Sequence, residues 1–366
     1  MKRLINKILK LLNYVLAGAL LLTYVSVYIS PEFFWPVAFL GLAFPFLLVA
    51  NILFLIYWIT QKRRLFLLSL IILLMGIKPV SRIYQVDFSG NKEMKNPGSE
   101  MEITIMSYNV RVFNLFGSNE FGDEQKGLFA FIREKKPDIV CFQEFYINEK
   151  KQFTLDTISQ LLPDMNYNHI FWLSKGNGFK YGIATFSRYP IVKKGRIDFG
   201  KSLNSAIFTD ILIDKERIRI YNNHLQSIRF NRKNYQFISN QSKYSDRRRL
   251  EEIQDISFRL RDAFIKRSKQ AEKISASINR SAYPVLVCGD FNDTPVSYTY
   301  HTISTGLKDA FVEAGSGIGI TYQGKFPSYR IDYIFYDNAF RIKNFEIIEN
   351  SFSDHFPVKA SVSINK

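Results

Sequence analysis

Cysteine is nearly missing from this 366-residue chain. Its two residues, Cys141 and Cys288, exclude a disulfide-stapled small-domain scaffold and a cysteine-rich zinc site. Histidine is almost as scarce, at four, so the place of each one is informative. Acidic residues are in deficit, with 33 Asp+Glu against 49 Lys+Arg, which leaves a net charge of +16. No internal repeat or low-complexity segment is present. A hydrophobic content of 47%, with 15% aromatics, excludes disorder and supports a sizeable core.

The positive charge is local. Residues 1–80 hold eight basic residues (Lys2, Arg3, Lys7, Lys10, Lys62, Arg63, Arg64 and Lys78) against one acid, Glu32. Residues 229–273 hold thirteen Lys/Arg against six Asp/Glu. Each segment carries +7, and the rest of the chain is close to neutral. A nucleic-acid partner therefore does not follow from net charge alone.

Charge is absent altogether from 11–29 and from 33–61. Both stretches are long enough, at 1.5 Å per residue, to cross roughly 30 Å of hydrocarbon. Trp35, Tyr57 and Trp58 lie near the ends of the second, where interfacial aromatics collect. A cleaved signal peptide is disfavoured because a second apolar stretch follows at once, with no small-residue cleavage site between them. A third run, Leu65–Ile77, is shorter, and topology turns on it. The basic residues at 2–10 and 62–64 prefer the cytoplasm, so a spanning third run places the remainder outside, and a non-spanning one keeps it inside. The expectation is that it spans, with Lys78 and Arg82 at its end. The expected placement is then a bacterial inner membrane, with the chain after this run extracytoplasmic. Hydrophobic runs without intramembrane charge argue against a transporter.

Residues 88–100 are polar, with Gly, Pro and Asn, and read as a linker between a membrane region over 1–87 and a domain over 101–366. In that domain the pattern predicts strands at 103–110, 138–145, 181–187, 206–213, 218–225, 285–291, 331–336 and 358–364. Helices are predicted at about 123–135 and 246–279. Many strands with few helices favour an α/β sandwich over a simple doubly wound sheet.

Polar residues recur at the ends of these apolar runs: Ser107-Tyr108-Asn109, Gln143-Glu144, Asn222-Asn223-His224, Gly289-Asp290-Phe291-Asn292, Arg330-Ile331-Asp332 and Ser353-Asp354-His355. Taken singly, each has an ordinary explanation as a turn, a cap or a hydrogen-bonded structural histidine. Buried carboxylates and amides at strand ends are costly unless paired or bound to an ion, and together they mark a site on one sheet edge. His169 and His301 lie outside these groups and read as structural. Cys141 and Cys288 read as small buried hydrophobes.

The ordered set SYNVR, QE, GIATFSRYPI, NNHL, GDFND, RIDYIF and SDHFPV resembles the endonuclease/exonuclease/phosphatase superfamily over about 103–364. The resemblance implies a four-layered α/β sandwich, two packed mixed sheets flanked by helices, here preceded by N-terminal transmembrane helices. It implies that Glu144 is the principal ligand of a divalent cation, with Asn109 nearby and Asp354 contributing. Hard oxygen ligands suit Mg2+ or Mn2+ better than Zn2+. His355 would activate the attacking water or stabilise the transition state, with Asp332 fixing its tautomer. Asp290 and Asn292 would orient the water and phosphoryl oxygens, and His224 would donate to a non-bridging oxygen or help the leaving group.

The expected activity is a membrane-anchored, metal-dependent phosphodiesterase or phosphomonoesterase. A nuclease acting on DNA or RNA and a catalytically inactive membrane-bound module are the alternatives. The substrate stays open between a phospholipid headgroup and a nucleic acid. The basic insert 229–273 is either a solvated helix face with i,i+4 pairs such as Arg248–Glu252, or a patch for an anionic surface.

Overall fold

The computed structural model describes residues 2–86, 101–115, 121–240, 245–324 and 328–364; the expected linker at 88–100 lies outside the described residues. Two six-stranded sheets form the centre. The first runs β13 (Phe340–Ile347), β14 (Val358–Ile364), β2 (Glu102–Asn109), β3 (Ile139–Asn148), β5 (Phe179–Ser187), β4 (Tyr167–Lys175). The second runs β10 (Lys308–Asp309), β12 (Asp332–Tyr336), β9 (Val285–Asp290), β8 (Glu216–His224), β7 (Ser205–Ile213), β6 (Ile191–Ile197). Each sheet contains one parallel pair at its centre, β2 with β3 and β8 with β9, and is antiparallel elsewhere. The two sheets thus repeat one pairing pattern.

Strand composition follows from this layering. Ile103, Ile105, Ile139 and Cys141 of one sheet meet Ile218, Ile220, Leu286 and Cys288 of the other in the central core. The opposite faces are covered too. Met106, Tyr108, Val140 and Phe142 pack under the helix Asp123–Glu134, while Tyr221, Val285 and Val287 pack under the helix Asp246–Asn279. Strands buried on both faces read as continuous apolar runs, which is why the central ones are legible. The architecture is the expected four-layered sandwich of two mixed sheets flanked by helices. The three long strands without a sequence prediction, β4, β6 and β13, are edges. β6 and β13 carry exposed Lys and Arg, as in IVKKGRI and FRIKNFEI, which blunts edge-to-edge pairing and blurs the hydrophobic pattern.

Three helices pack together before the sandwich: Lys2–Ser26, Ala38–Thr60 and the short Phe66–Met75. The segments Arg3–Ser26 and Pro31–Thr60 are long and apolar enough to cross a membrane. Their outer surface is apolar, and the polar groups point inward. Asn13 donates to Ser69 at 3.0 Å and accepts from the Trp58 indole at 2.9 Å, and Asn51 donates to Leu16 O at 3.2 Å. These bonds cross-link the three helices. The end of the bundle near Val27, Phe44 and Ile72 packs on Val296 of the sandwich. A two-stranded pairing of β1 (Tyr84–Gln85) with β11 (Gly317–Ile318) ties the two parts again.

Candidate active site

Asn109, His224 and Asp290 end β2, β8 and β9, and Glu144 lies within β3 just past the point where its parallel pairing with β2 stops. Asp332 opens the antiparallel β12, and Asp354 and His355 precede β14. In-register packing of the two sheets brings all these ends to one edge, where they line a cavity of about 510 Å3. Asn109, Glu144, His224, Asp290, Asn292, Asp354 and His355 line it directly; Asp332 stands behind His355.

Asp290 is the hub. It is buried, and its carboxylate accepts from Asn109 Nδ2 at 2.9 Å, Asn292 N at 2.8 Å and Asn292 Nδ2 at 3.0 Å. Burial pushes this carboxyl up to about 7, with the Asp332 charge adding to the rise against the pull of His355. His355 Nδ1 lies 3.0 Å from Asp332 Oδ2, and its Nε2 lies 3.9 Å from Asp290. Burial disfavours its charge, but Asp332 and Asp290 outweigh burial and drive its pKa well up, so the ring is a cation at neutral pH. His224 is the reverse case. Burial, with His355 and Arg229 nearby, pushes it down to about 3, so it stays neutral. Its Nε2 lies 3.8 Å from Asp290 and 3.9 Å from Glu144, and its buried Nδ1 has no hydrogen-bond partner among the described residues.

Glu144 sits on a bulge where β3 changes register against β5, with its backbone in the left-handed region at φ +53°. Arg111 and Asn292, also in the cavity, share that conformation. Left-handed backbone at several non-glycine residues in one place is stored strain of the kind that sites retain. Gly289 holds a φ of +133° against the Asn223 backbone, where no side chain fits, and this lets the GDFN turn approach β8. Burial raises the Glu144 carboxyl, and the Asp354 charge adds to that against the pull of His355 and Arg111. Arg111 reaches Asp354 at 3.5 Å. Glu144, Asp290 and Asp354 bring carboxylate oxygens into one cavity beside the Asn109 amide, an oxygen-rich donor set that fits a hard divalent ion. Among the described residues, Asp290, Asp332 and His355 also offer ligand atoms within 4.8 Å of one another. Two of these residues, His355 and Asp332, are already hydrogen-bonded to each other.

Several motif residues turn away from the cavity. Gln143 donates to Asn222 Oδ1 at 2.7 Å and Asn222 donates to Ala184 O at 2.9 Å, clamping the sheets together beneath the site. Arg330 forms a buried pair with Asp309 under the rings of Tyr333 and Phe311. His169 is buried against Thr209 at 2.9 Å, a structural placement, and His301 packs on Tyr28. Residues with no sequence signal also enter. Thr321 Oγ1 accepts from the Asp332 amide at 3.0 Å, and the Tyr322 ring lies 5.0 Å from that of His355.

The basic insert divides. The i,i+4 pairs on its helix include Arg247–Glu251 at 3.3 Å and Arg259–Asp255 at 2.8 Å; Glu252, expected to pair with Arg248, accepts from Asn234 at 3.4 Å. Lys266, Lys269 and Lys273, with Lys201 and Arg229, line a second cavity of about 560 Å3. Arg267 is buried, pairs with Asp293 of the GDFND turn at 3.1 Å, and donates to Gln226 O at 2.9 Å. Arg267→Ala would leave Asp293 buried and uncompensated, an expected cost of about 3–5 kcal/mol. Thermal unfolding in detergent checks it; a melting temperature equal to the parent's would show the pair to be dispensable.

Comparison with known proteins agrees with this architecture. Residues 106–355 match the model of the endonuclease/exonuclease/phosphatase family, and residues 6–83 match a domain of unknown function. No curated protein matches the chain. Among solved structures, an endonuclease/exonuclease/phosphatase from Beutenbergia cavernae is similar at 17% identity and a TM-score of 0.51, covering 72% of each chain. A family protein from Leptotrichia buccalis is similar at 19% identity and a TM-score of 0.51, covering 71% of this chain and 99% of that one. D. rerio TDP2 complexed with single-strand DNA product is similar at 16% identity and a TM-score of 0.50, covering 72% and 99%. With its family model matched over more than half its length and the family's two-sheet sandwich in place, this chain belongs to the endonuclease/exonuclease/phosphatase family.

Proposed function

We propose that the chain is a membrane-anchored, divalent-metal-dependent phosphoesterase that hydrolyses a phosphodiester or phosphomonoester by in-line attack of water. The observation that carries this reading is the meeting of Glu144, Asp290, Asp354, His224 and His355 in one cavity over the ends of the parallel strands. Glu144, with Asn109 and Asp354, would hold Mg2+ or Mn2+, which when bound neutralises phosphoryl charge and makes a water more acidic.

The chain's own groups divide the remaining work. Asp290, raised to about 7, has the basicity to take the water's proton at neutral pH, and Asn109 and Asn292 fix its orientation. His355, kept protonated by Asp332, presents Nε2–H where negative charge builds on the phosphoryl oxygens. This favours transition-state stabilisation over base catalysis for His355. His224 is neutral and offers a hydrogen bond without adding charge. The water oxygen bonds to phosphorus, one P–O ester bond breaks, and the alcohol departs. The test is hydrolysis of bis(p-nitrophenyl) phosphate by the purified full chain. Activity that EDTA removes and Mg2+ or Mn2+ restores is expected; none with either ion, on this or natural phosphoesters, would overturn the reading.

A nuclease is the second reading. TDP2, with its DNA product, shares the fold, and the lysine-lined cavity beside the site suits a polyanion. An inactive module is disfavoured because every expected position is filled.

We assign 1–87 to the membrane region and 101–366 to the catalytic domain, on the extracytoplasmic side of a bacterial inner membrane. Asn13 meets Ser69 and Trp58, whereas Tyr24 meets Phe44 and donates to Ile72 O at 3.1 Å, so the helices run up, down and up. The basic ends at 2–10 and 62–64 then share one side, which supports placing the sandwich on the other. A reporter active only outside the cytoplasm, fused at the C-terminus of the full chain, should be active; a cytoplasmic signal would reverse the placement.

A further inference from the structure

The cavity holding Glu144 and His355 draws one wall from outside the family-matched segment. Leu42, on the helix Ala38–Thr60, lines it beside Ile228, Phe230, Leu260 and Ile331. Three contacts hold the helix there. The Tyr329 hydroxyl donates to Leu42 O at 2.9 Å. Gly41 is so close to the Val296 carbonyl that no side chain would fit. Phe39 meets Phe264 edge-on at 5.4 Å. A salt bridge from Lys269 to Glu32 at 2.7 Å, just before this helix, adds to the docking.

Helical spacing extends that wall outward. Phe46, Val49 and Leu53 follow Leu42 at i+4, i+7 and i+11, on the same face. They are 66%, 54% and 61% exposed. Exposed apolar side chains on a segment of mean hydropathy 2.5 form a surface that hydrocarbon covers. One continuous apolar face therefore leads from the bilayer into a cavity that ends in carboxylates and histidines. That combination matches a molecule with an apolar chain at one end and a phosphate at the other. A nucleic acid has no group to place on the stripe.

We propose that the N-terminal helices form part of the substrate site and that the substrate is a bilayer lipid phosphoester. Its phosphate sits among Glu144, Asp290 and His355, and its acyl chain lies on the Leu42–Phe46–Val49–Leu53 face. The inference rests on the phosphoesterase reading, and its chemistry is the same: water adds to phosphorus, one ester P–O bond breaks, and the alcohol leaves with a proton.

The full chain in detergent, with Mg2+, is assayed on long-chain phosphatidylethanolamine and phosphatidylglycerol, their dihexanoyl forms, single-stranded DNA and bis(p-nitrophenyl) phosphate. A long-chain lipid is expected to exceed its dihexanoyl form at least tenfold in kcat/KM. Leu42→Glu, or the milder Leu42→Ala if the first fails to fold, is expected to lower that ratio severalfold or more. Turnover of DNA or the nitrophenyl ester without a long-chain preference, or an unchanged ratio in the Leu42 variants, overturns the inference and leaves the phosphoesterase reading standing. No metal-dependent hydrolysis of any probe overturns both. A second readout needs neither metal nor turnover. A nitroxide on Phe230→Cys in liposomes should show the oxygen accessibility of bilayer contact; purely aqueous accessibility would remove the cavity from the membrane surface.

Discussion

His355→Ala is expected to lower kcat/KM on a phosphoester about a thousandfold, roughly 4 kcal/mol of transition-state stabilisation. The size follows from the geometry. The imidazolium stands 3.9 Å from Asp290 in a buried site, so no water can take its place at comparable strength. Asp332→Asn is expected to cost less, about 10–100-fold, because the ring survives and only its orientation and charge are weakened. Both effects should fall mainly on kcat. Equal losses in the two variants would mean that Asp332 does more than orient the ring. Activity in His355→Ala within a few-fold of the parent would remove His355 from the mechanism.

Glu144→Gln is expected to be as damaging, and by a separable route. The carboxylate sits on a strained bulge with its charge disfavoured by burial and by Asp354, an arrangement that an incoming cation relieves. A ligand present at a hundred times its Kd stabilises the folded chain by about 2.7 kcal/mol, so Mg2+ or Mn2+ should raise the parent's melting temperature by several degrees. In Glu144→Gln that metal-dependent rise should disappear, and activity should fall about a thousandfold or more. The melting temperature without metal should stay equal to or above the parent's, since the substitution removes a carboxylate from a crowded negative cluster. A Glu144→Gln chain that keeps both the metal-induced shift and the activity would move the metal elsewhere, with Asp290, Asp332 and His355 the next grouping to test.

The candidate site was legible because its residues end buried strands. Central strands such as VLVCGD and DIVCFQE stand out from their apolar runs, so the polar residue that ends each one stands out too. Edge strands, half exposed and lysine-bearing, hide in sequence, and β4, β6 and β13 carry none of the candidate residues. Thr321 and Tyr322 were illegible for another reason. They lie in an irregular segment with no periodicity, and reach Asp332 and His355 only because the chain folds back across the site.

By itself the sequence determined the type of the central elements, the order of the polar groups that end them, and the two uncharged segments of membrane-crossing length. All of these are local properties, written in runs and periods. What the tertiary structure decided is what each polar group or charge does. Gln143 and Asn222 belong to motifs yet clamp the sheets, and Arg267 belongs to a basic run yet is a buried partner of Asp293. Leu42, one more apolar residue of a hydrophobic run, became a wall of the candidate cavity. The reason is physical. The role of a polar or charged group depends on its burial and its partners, and those are set by contacts between residues far apart in the chain.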